Sequence, residues 1–332
     1  MESTRTTMSE CMGTGKPQIA ILMAVYEPRM DWLREQLLSL NAQTYSNLKL
    51  YIRDDCSPTV PYDEIQSCVQ DCIRAFPYEI QRNEKNLGSN GTFELLTREA
   101  DGEYFAYCDQ DDVWLPEKLS MLETCMEDGV VQMVCSDVQV IDGDGNLTAD
   151  SITQVRHRHR FCSGSDEVFH ALLTRNFAIG CTMLIRREAA REALPFLPEM
   201  VHDHWLAMVA ASRGTVLSLL QPQIQYRIHG GNQTGVLVGI SDKKKYTDVR
   251  IMEFEKRIRH IRERMPDAPY VERVYQWASA RVDNSVHKTL GSALRLWKLR
   301  EENPATTVFE LFALRMPEPL FRQALKFAKK SG

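Results

Sequence analysis

Four consecutive residues, Asp109-Gln110-Asp111-Asp112, place three carboxylates within one short segment. Ionised carboxylates this close together repel one another unless a cation lies between them. Hard divalent cations such as Mg²⁺ and Mn²⁺ prefer oxygen ligands and often bind one or two carboxylates together with phosphate oxygens. The segment therefore predicts either a metal site next to a phosphate or an acidic turn that caps the following helix.

Three residues in the second half of the chain are further candidates for chemistry. Asp203 precedes the apolar segment 205–211, where it could cap a helix or accept a proton as a general base. His229 lies in a loop with glycines, where a single histidine is more often a surface residue. Arg227 could neutralise a phosphate or form a structural ion pair.

The first half of the chain alternates strand-like and helix-like segments. Strands are predicted at 19–25, 48–53, 78–80 and 104–108, and helices from about 31, over 62–75 and over 92–100. This order predicts a mainly parallel sheet with helices on both faces. Polar residues follow three of the strands: Tyr26-Glu27, Asp54-Asp55 and the acidic segment. Ligands of such sheets bind at the carboxyl ends of the strands, so these side chains are expected to converge.

The remaining segments divide the chain. A helix is predicted over 116–127, and strands over 130–135 and 138–141. From Ser241 the apolar spacing is helical. We expect a disordered lead-in over 1–16, a catalytic domain over 17–238 and a basic helical region over 239–332.

Charge is distributed unevenly along the 332 residues. From Asp242 onward there are 20 Lys/Arg against 12 Asp/Glu, whereas the whole chain carries −5. The basic end is either a solvated helical surface or a face that attracts anionic lipid or a phosphate-bearing acceptor. The longest apolar run is too short to cross a bilayer, and nine cysteines without metal spacing fit reduced thiols. We expect a cytoplasmic protein, with peripheral contact to the inner face of the membrane as one interpretation.

Several motifs, in this order, resemble the family-2 glycosyltransferases of the GT-A fold, and most of all bacterial cell-surface polysaccharide enzymes such as rhamnosyltransferases. The resemblance covers about residues 18–235. Its motifs are Ile21-Leu22-Met23-Ala24-Val25-Tyr26, Arg53-Asp54-Asp55-Cys56-Ser57, Asn86-Leu87-Gly88, Tyr107-Cys108-Asp109-Gln110-Asp111-Asp112-Val113-Trp114, Gly180-Cys181-Thr182, His202-Asp203-His204-Trp205 and Tyr226-Arg227-Ile228-His229-Gly230-Gly231-Asn232.

The resemblance implies a role for each matching position. Asp203 would be the catalytic base, and Asp111, with Asp109 and His229, would hold Mn²⁺ or Mg²⁺. Asp55 would be the likelier partner of a pyrimidine base, and Asp109 would face the ribose or a metal-bound water. For Asp112 we expect no more than the role of a helix-start residue. The implied contacts of the nucleotide sugar are Tyr26, Glu27, Asp54, Asp55, Asn86, Gly88, Asp109, Gln110 and Arg227.

The implied reaction is inverting, metal-dependent transfer of a sugar from a UDP- or dTDP-sugar to a hydroxyl of a growing polysaccharide or lipid-linked acceptor. No nucleic-acid partner is expected. Three other functions stay open: a sugar nucleotidyltransferase, a metal-dependent phosphohydrolase, and a module that binds a nucleotide sugar without turnover. A nucleotidyltransferase usually carries a Gly-rich phosphate loop after the first strand, where this chain has Tyr26-Glu27-Pro28.

Overall fold

The apolar run Ile19–Val25 forms the first strand of a nine-stranded sheet. The structure is a computed structural model that describes residues 15–157, 159–229 and 240–330. The expected lead-in is outside these residues as far as position 14, as are Arg158 and the predicted domain boundary at 238. The strands are β1 Ile19–Val25, β2 Leu48–Asp54, β3 Tyr78–Arg82, β4 Tyr104–Cys108, β5 Val113–Trp114, β6 Val131–Ile141, β7 Leu147–Ala149, β8 Met183–Arg186 and β9 Thr215–Arg227.

Eight helices accompany the sheet within the first two described ranges. They are α1 Met30–Asn41, α2 Tyr62–Cys72, α3 Gly88–Glu99, α4 Lys118–Met126, α5 Ile152–Val155, α6 Asp166–Thr174, α7 Arg187–Glu192 and α8 His202–Arg213. After residue 240 the chain is helical: α9 Lys243–Tyr246, α10 Glu253–Arg264, α11 Val271–His287, α12 Leu290–Lys298, α13 Pro304–Ala313 and α14 Glu318–Lys330. A π-helical turn, Thr247–Met252, joins α9 to α10, and short 3₁₀ turns lie at Gly180–Thr182 and Arg300–Glu302.

The sheet is parallel in one half and mixed in the other. Its order is β3-β2-β1-β4-β8-β6-β9-β5, with β7 paired to β6. Strands β3, β2, β1 and β4 run parallel, as predicted, whereas β8 is antiparallel to both β4 and β6. The α/β fold class is confirmed, and "mainly parallel" describes the first half of the sheet.

The prediction of two strands at 130–135 and 138–141 was wrong, because this segment forms a single strand, β6. The intervening Ser136 and Asp137 are polar, which suggested a break, but both are buried. Asp137 Oδ1 accepts hydrogen bonds from the backbone N–H groups of Val138 and Ile152. Because these donors satisfy the carboxylate, the strand continues through it.

The sheet has an apolar core on each face. Alternate residues of β1 belong to different clusters: Ala20 and Leu22 pack with α3, α6 and α8, whereas Ile21 and Met23 pack with α1, α2 and α4. The first cluster also includes side chains of α10 and α11, such as Ile258 and Trp277. The C-terminal helices are therefore partly built into the core of the sheet domain.

Candidate active site

The carboxyl ends of β1, β2 and β4 meet at one edge of the sheet. Val25 is in register with Asp54, and Met23 is in register with Cys108, so the residues that follow these strands are neighbours. Gln110 joins two of these ends: its Oε1 accepts from Tyr26 N (2.8 Å), and its Nε2 donates to Tyr26 O (3.0 Å). The predicted nucleotide residue Gln110 thus uses both ends of its amide to hold the backbone at Tyr26.

Three side chains line the floor of this edge. Ligand atoms of Asp109, Asp112 and Cys181 lie within 4.8 Å of one another, the one such set of three among the described residues. Burial, followed by the charges of Asp111 and Asp203, raises the pKa of Asp109 to about 7. Burial also raises the pKa of Asp112 and of the Cys181 thiol well above their usual values. A protonated thiol is a poor ligand for a hard cation. These three groups therefore line the floor of a metal site but do not make up its complete set of ligands.

Asp112 is not the helix-start residue expected from the sequence. It is 1% exposed and precedes the short strand β5, and α4 begins only at Lys118. Its Oδ1 accepts from Arg227 N (2.9 Å), while its Oδ2 has no hydrogen-bond partner among the described residues. The carboxylate links the acidic segment to the end of β9.

Asp111 and His229, both predicted as metal ligands, lie in contact. His229 Nε2 is 2.8 Å from Asp111 Oδ2, and both side chains are partly exposed. The His229 ring packs against Trp32 with their centroids 4.9 Å apart, which fixes the position of the imidazole. The carboxylate oxygen of Asp111 is the kind of ligand that Mn²⁺ and Mg²⁺ prefer, and binding of a metal by Asp111 and His229 stays a prediction.

Arg227 is deeply buried, with 1% of its side chain exposed. Its guanidinium donates to the carbonyl of Asp111 (2.8 Å), the carbonyl of Asp142 (3.2 Å) and Glu35 Oε2 (2.5 Å). This arrangement favours the ion-pair interpretation of Arg227 over direct contact with phosphate. The residue holds the backbone of the acidic segment in place.

Asp203 lies in the first turn of α8, close enough to Asp109 for its charge to act on that carboxyl group. The N-cap of that helix is Val201, so Asp203 is inside the helix and is not its cap. Oδ1 accepts from Asn176 Nδ2 (3.0 Å) and Oδ2 accepts from Gly180 N (3.2 Å). Burial raises the pKa of Asp203 to about 6, against the lowering effect of these hydrogen bonds. Among the described residues the Asp203 carboxylate forms no ion pair, and its raised pKa is the character expected of a general base.

The predicted nucleotide residues on the β1 and β2 side are largely engaged with the protein. The Glu27 carboxylate accepts from Thr59 N (2.7 Å), Thr59 Oγ1 and Val60 N (3.2 Å), and its backbone has φ +46°. Asp54 is buried, accepts from Ser57 and lies 3.3 Å from Arg82 Nε. Glu27 and Asp54 therefore both hold the loop after β2 in place, whereas the Tyr26 side chain is exposed.

Asp55 anchors the Asn86-Leu87-Gly88 turn. Its two oxygens accept from Leu87 N, Gly88 N and Asn83 Nδ2, each at 2.8 Å. Asn86 Oδ1 also accepts from Gly88 N (3.0 Å), and Gly88 has φ +71°, a conformation that favours glycine. The structure brings Asp55, Asn86 and Gly88 together as predicted, and their contact with a base stays a prediction.

Lys118 is a site residue that the sequence reasoning missed. It is completely buried, its Nζ donates to the carbonyl of Cys181 (2.5 Å), and it lies over the Trp114 ring at 3.0 Å from the centroid. Burial lowers its pKa to about 7, while nearby Cys181, Cys108 and the aspartates favour its charged form. The sequence did contain a signal for its burial, because Lys118 precedes Leu122 by four residues and so lies on the apolar face of α4. Asn176, which holds Asp203, was also missed.

An α/β sheet with an acidic cluster at its carboxyl edge and a further carboxylate nearby agrees with the GT-A fold. Residues 20–194 match the model of the family "Glycosyl transferase family 2". The chain belongs to this family and is a glycosyltransferase. The nucleotidyltransferase interpretation is thereby excluded.

Two relatives of known function agree with this family. The chain is 26% identical over 306 residues to the dTDP-rhamnosyl transferase RfbG of Shigella flexneri, covering 84% of this chain and 94% of that protein. It is 24% identical over 219 residues to the UDP-Glc:alpha-D-GlcNAc-diphosphoundecaprenol beta-1,3-glucosyltransferase WfaP of Escherichia coli, covering 64% of this chain and 78% of that protein.

Two solved structures share the fold. Residues 1–349 of S. aureus TarS, in complex with UDP-GlcNAc, align with a TM-score of 0.56 at 16% identity, over 93% of this chain and 87% of that one. The mannosyltransferase PcManGT from Pyrobaculum calidifontis, in complex with GDP-Man and Mn²⁺, aligns with a TM-score of 0.52 at 16% identity, over 96% and 89%. At these identities the likeness concerns the fold.

Proposed function

We propose that this chain transfers a sugar, with inversion, from a UDP- or dTDP-sugar to a hydroxyl of a cell-surface saccharide. The observation that carries the proposal is the position of Asp203, whose hydrogen bonds from Gly180 and Asn176 hold a carboxylate close enough to Asp109 for its charge to act on it. RfbG and WfaP, whose names specify dTDP-rhamnose and UDP-glucose chemistry, support a donor of this class.

The residues divide the work of one displacement. Asp111 and His229, with Asp109, would hold a divalent cation, Mn²⁺ or Mg²⁺, which neutralises the donor diphosphate when bound. Asp203 would accept the proton of the acceptor hydroxyl while its oxygen attacks the anomeric carbon. The bond from that carbon to the diphosphate breaks, and the nucleoside diphosphate leaves with the electron pair. A single base opposite the leaving group gives inversion.

A group of basic residues near Asp203 supports a phosphate-bearing acceptor. Burial, together with the charges of Arg156, Arg160 and Arg175, lowers the pKa of His159, and Arg156 also acts on Asp203. Arg175 is exposed and has no hydrogen bond or ion pair with its side chain among the described residues. A diphosphate between a lipid and the accepting sugar would match this charge. The basic C-terminal region would then face the membrane that holds such a lipid.

Two measurements test the proposal. Thermal shift with a panel of nucleoside-diphosphate sugars and Mn²⁺ identifies the donor, because a ligand that binds the native state raises its stability. Transfer to a lipid-diphosphate sugar is then followed by NMR of the product anomer. An inverted linkage is expected. A retained anomer, or no stabilisation by any UDP- or dTDP-sugar, contradicts the proposal.

A further inference from the structure

Helix α12 presents an apolar face to solvent. Leu290, Leu294 and Trp297 recur at the spacing of one helical face and are 78%, 53% and 44% exposed. Val286, near the end of α11, is 59% exposed. The opposite face of α12 is the buried one, where Ser292 and Leu296 pack inward. Since large apolar side chains rarely cluster on a free surface, this face needs a partner.

The charge around this face has one sign. Residues 284–300 contain no Asp or Glu and include Lys288, Arg295, Lys298 and Arg300. Arg300 also lies over the Trp297 ring, 4.7 Å from the centroid. An apolar helix face flanked by cations, with a tryptophan among its residues, is the pattern of a helix that lies in the interface of an anionic membrane.

The acidic residues on either side of the segment are already paired. Asp283 pairs with His287, and Glu301 with Arg273. Glu302 is almost completely buried against Arg273 and His170. These pairs leave the four cations as the dominant charge beside α12.

We propose that α12 and the adjoining end of α11 form a membrane-docking face that binds anionic phospholipid. This docking face consists of Val286, Leu290, Leu294 and Trp297, with the flanking Lys288, Arg295, Lys298 and Arg300. A second copy of the chain is a poorer occupant, because a two-fold contact through this face would bring the same cations together. The inference deepens the proposed lipid-linked acceptor and rests on it.

Co-sedimentation with vesicles tests the docking face directly. The full chain is mixed with vesicles of phosphatidylcholine alone or with phosphatidylglycerol, at low and high salt. Binding is expected only with phosphatidylglycerol and is weakened by salt. Leu294→Ser and Trp297→Ser should each lower the partition coefficient about tenfold, and Arg295→Gln about fivefold.

Matched controls come from the sheet domain. Leu220 is 67% exposed on β9, and Arg98 is exposed on α3, so Leu220→Ser and Arg98→Gln should leave vesicle binding unchanged. Equal binding by all variants, no binding by the unaltered chain, or a dimer that Leu294→Ser dissociates would each overturn the inference.

Donor binding by the same variants separates this inference from the proposed function. Leu294→Ser and Trp297→Ser should bind nucleoside diphosphate with Mn²⁺ as the unaltered chain does. If the chain binds the nucleotide but ignores the vesicles, the docking face alone is wrong. If it binds vesicles but no nucleotide, the proposed function alone is wrong.

Discussion

Asp203 has a pKa near 6, compared with the ordinary 3.8, because burial disfavours its charged form. A general base must be deprotonated before the acceptor binds, so kcat/KM should fall as the pH drops through about 6 and should level off above it. The measurement is a pH profile of kcat/KM at saturating Mn²⁺. An acidic limb near pH 4 would contradict the environment described for Asp203.

Replacing the same carboxylate tests its role. Asp203→Asn should keep one of the two accepted hydrogen bonds, from Asn176 or Gly180, and the binding of the donor but lower kcat about a hundredfold to ten-thousandfold, the usual contribution of a general base. Asp166→Asn is the matched control, since Asp166 is also in the first turn of a helix. Near-normal turnover by Asp203→Asn would exclude the base.

Lys118 is expected to stabilise the floor of the site. Lys118→Met leaves the Cys181 carbonyl without its donor and removes the cation beside Asp109 and Asp112. An unsatisfied buried acceptor costs about 1–3 kcal/mol, and Mn²⁺ should restore part of this loss. Urea unfolding with and without Mn²⁺ measures it, with Leu119→Met as the conservative control in the same turn. A variant as stable as the unaltered chain would show that the charge is dispensable.

The sequence motifs indicated which residues lie close together in the fold, but not the hydrogen-bond partners of each side chain. Asp111 and His229 are together, as the predicted metal site requires. Gln110 and Arg227 were predicted to contact the nucleotide sugar, and their polar groups are used on the backbone of Tyr26 and Asp111. Hydrogen-bond partners come from residues distant in sequence, and only the fold brings them together.

At the scale of elements, the turn Gly180–Thr182 connects the base to the sheet. A Cβ at Gly180 would lie 2.7 Å from His202 Nε2, and the His202 ring is confined by Phe93 at 4.3 Å and Tyr107 at 5.7 Å. Gly180→Ala should therefore displace the N–H that bonds Asp203, cost about 1–3 kcal/mol of stability and reduce kcat more than donor affinity.

Gly129→Ala is the control for this substitution, because nothing lies within 4 Å of a Cβ there. Thermal unfolding and steady-state kinetics of both variants measure the effect. Equal behaviour of the two variants would mean that the turn can move without cost.

Strands with continuous apolar runs were predictable from the sequence, whereas the second half of the sheet was not. β1 and β4 have the predicted bounds, since each is buried on both faces. The two-residue strand β5 pairs with β9, more than a hundred residues away. Such pairing depends on tertiary contacts and leaves no local periodicity.

At the scale of the whole molecule, the C-terminal helices depend on a buried ion pair. Arg281 donates to both oxygens of Glu310, and Tyr246 donates to Oε1 of the same carboxylate. The two charged side chains are 3% and 0% exposed. Trp277 of α11 packs in the core of the sheet domain, so loss of this ion pair should also destabilise the sheet domain.

Glu310→Ala is expected to lower the free energy of unfolding by about 3–5 kcal/mol, because it leaves a buried charge unpaired. Urea unfolding followed by tryptophan fluorescence measures the loss. Asp248→Ala, at an exposed ion pair with Lys244, is the control and should cost under about 1 kcal/mol. A comparable loss in both variants would contradict the structural role of the buried pair.

No helix among the described residues has the length and apolarity to span a membrane. The proposed membrane contact therefore depends on a surface, and the exposed face of α12 could not be foreseen from net charge. The charge distribution of the sequence predicted a basic C-terminal region, whereas the exposure of Leu290 and Leu294 depends on the fold.

Calorimetric titration of UDP and dTDP, with and without Mn²⁺, tests the central claim most directly, in the unaltered chain, Asp111→Asn and the control Asp63→Asn. We predict that a nucleoside diphosphate binds tightly only with Mn²⁺, and that Asp111→Asn loses the metal effect while Asp63→Asn keeps it. Equal affinity with and without Mn²⁺ in the unaltered chain, or a full metal effect in Asp111→Asn, would contradict a metal-held donor at this cluster.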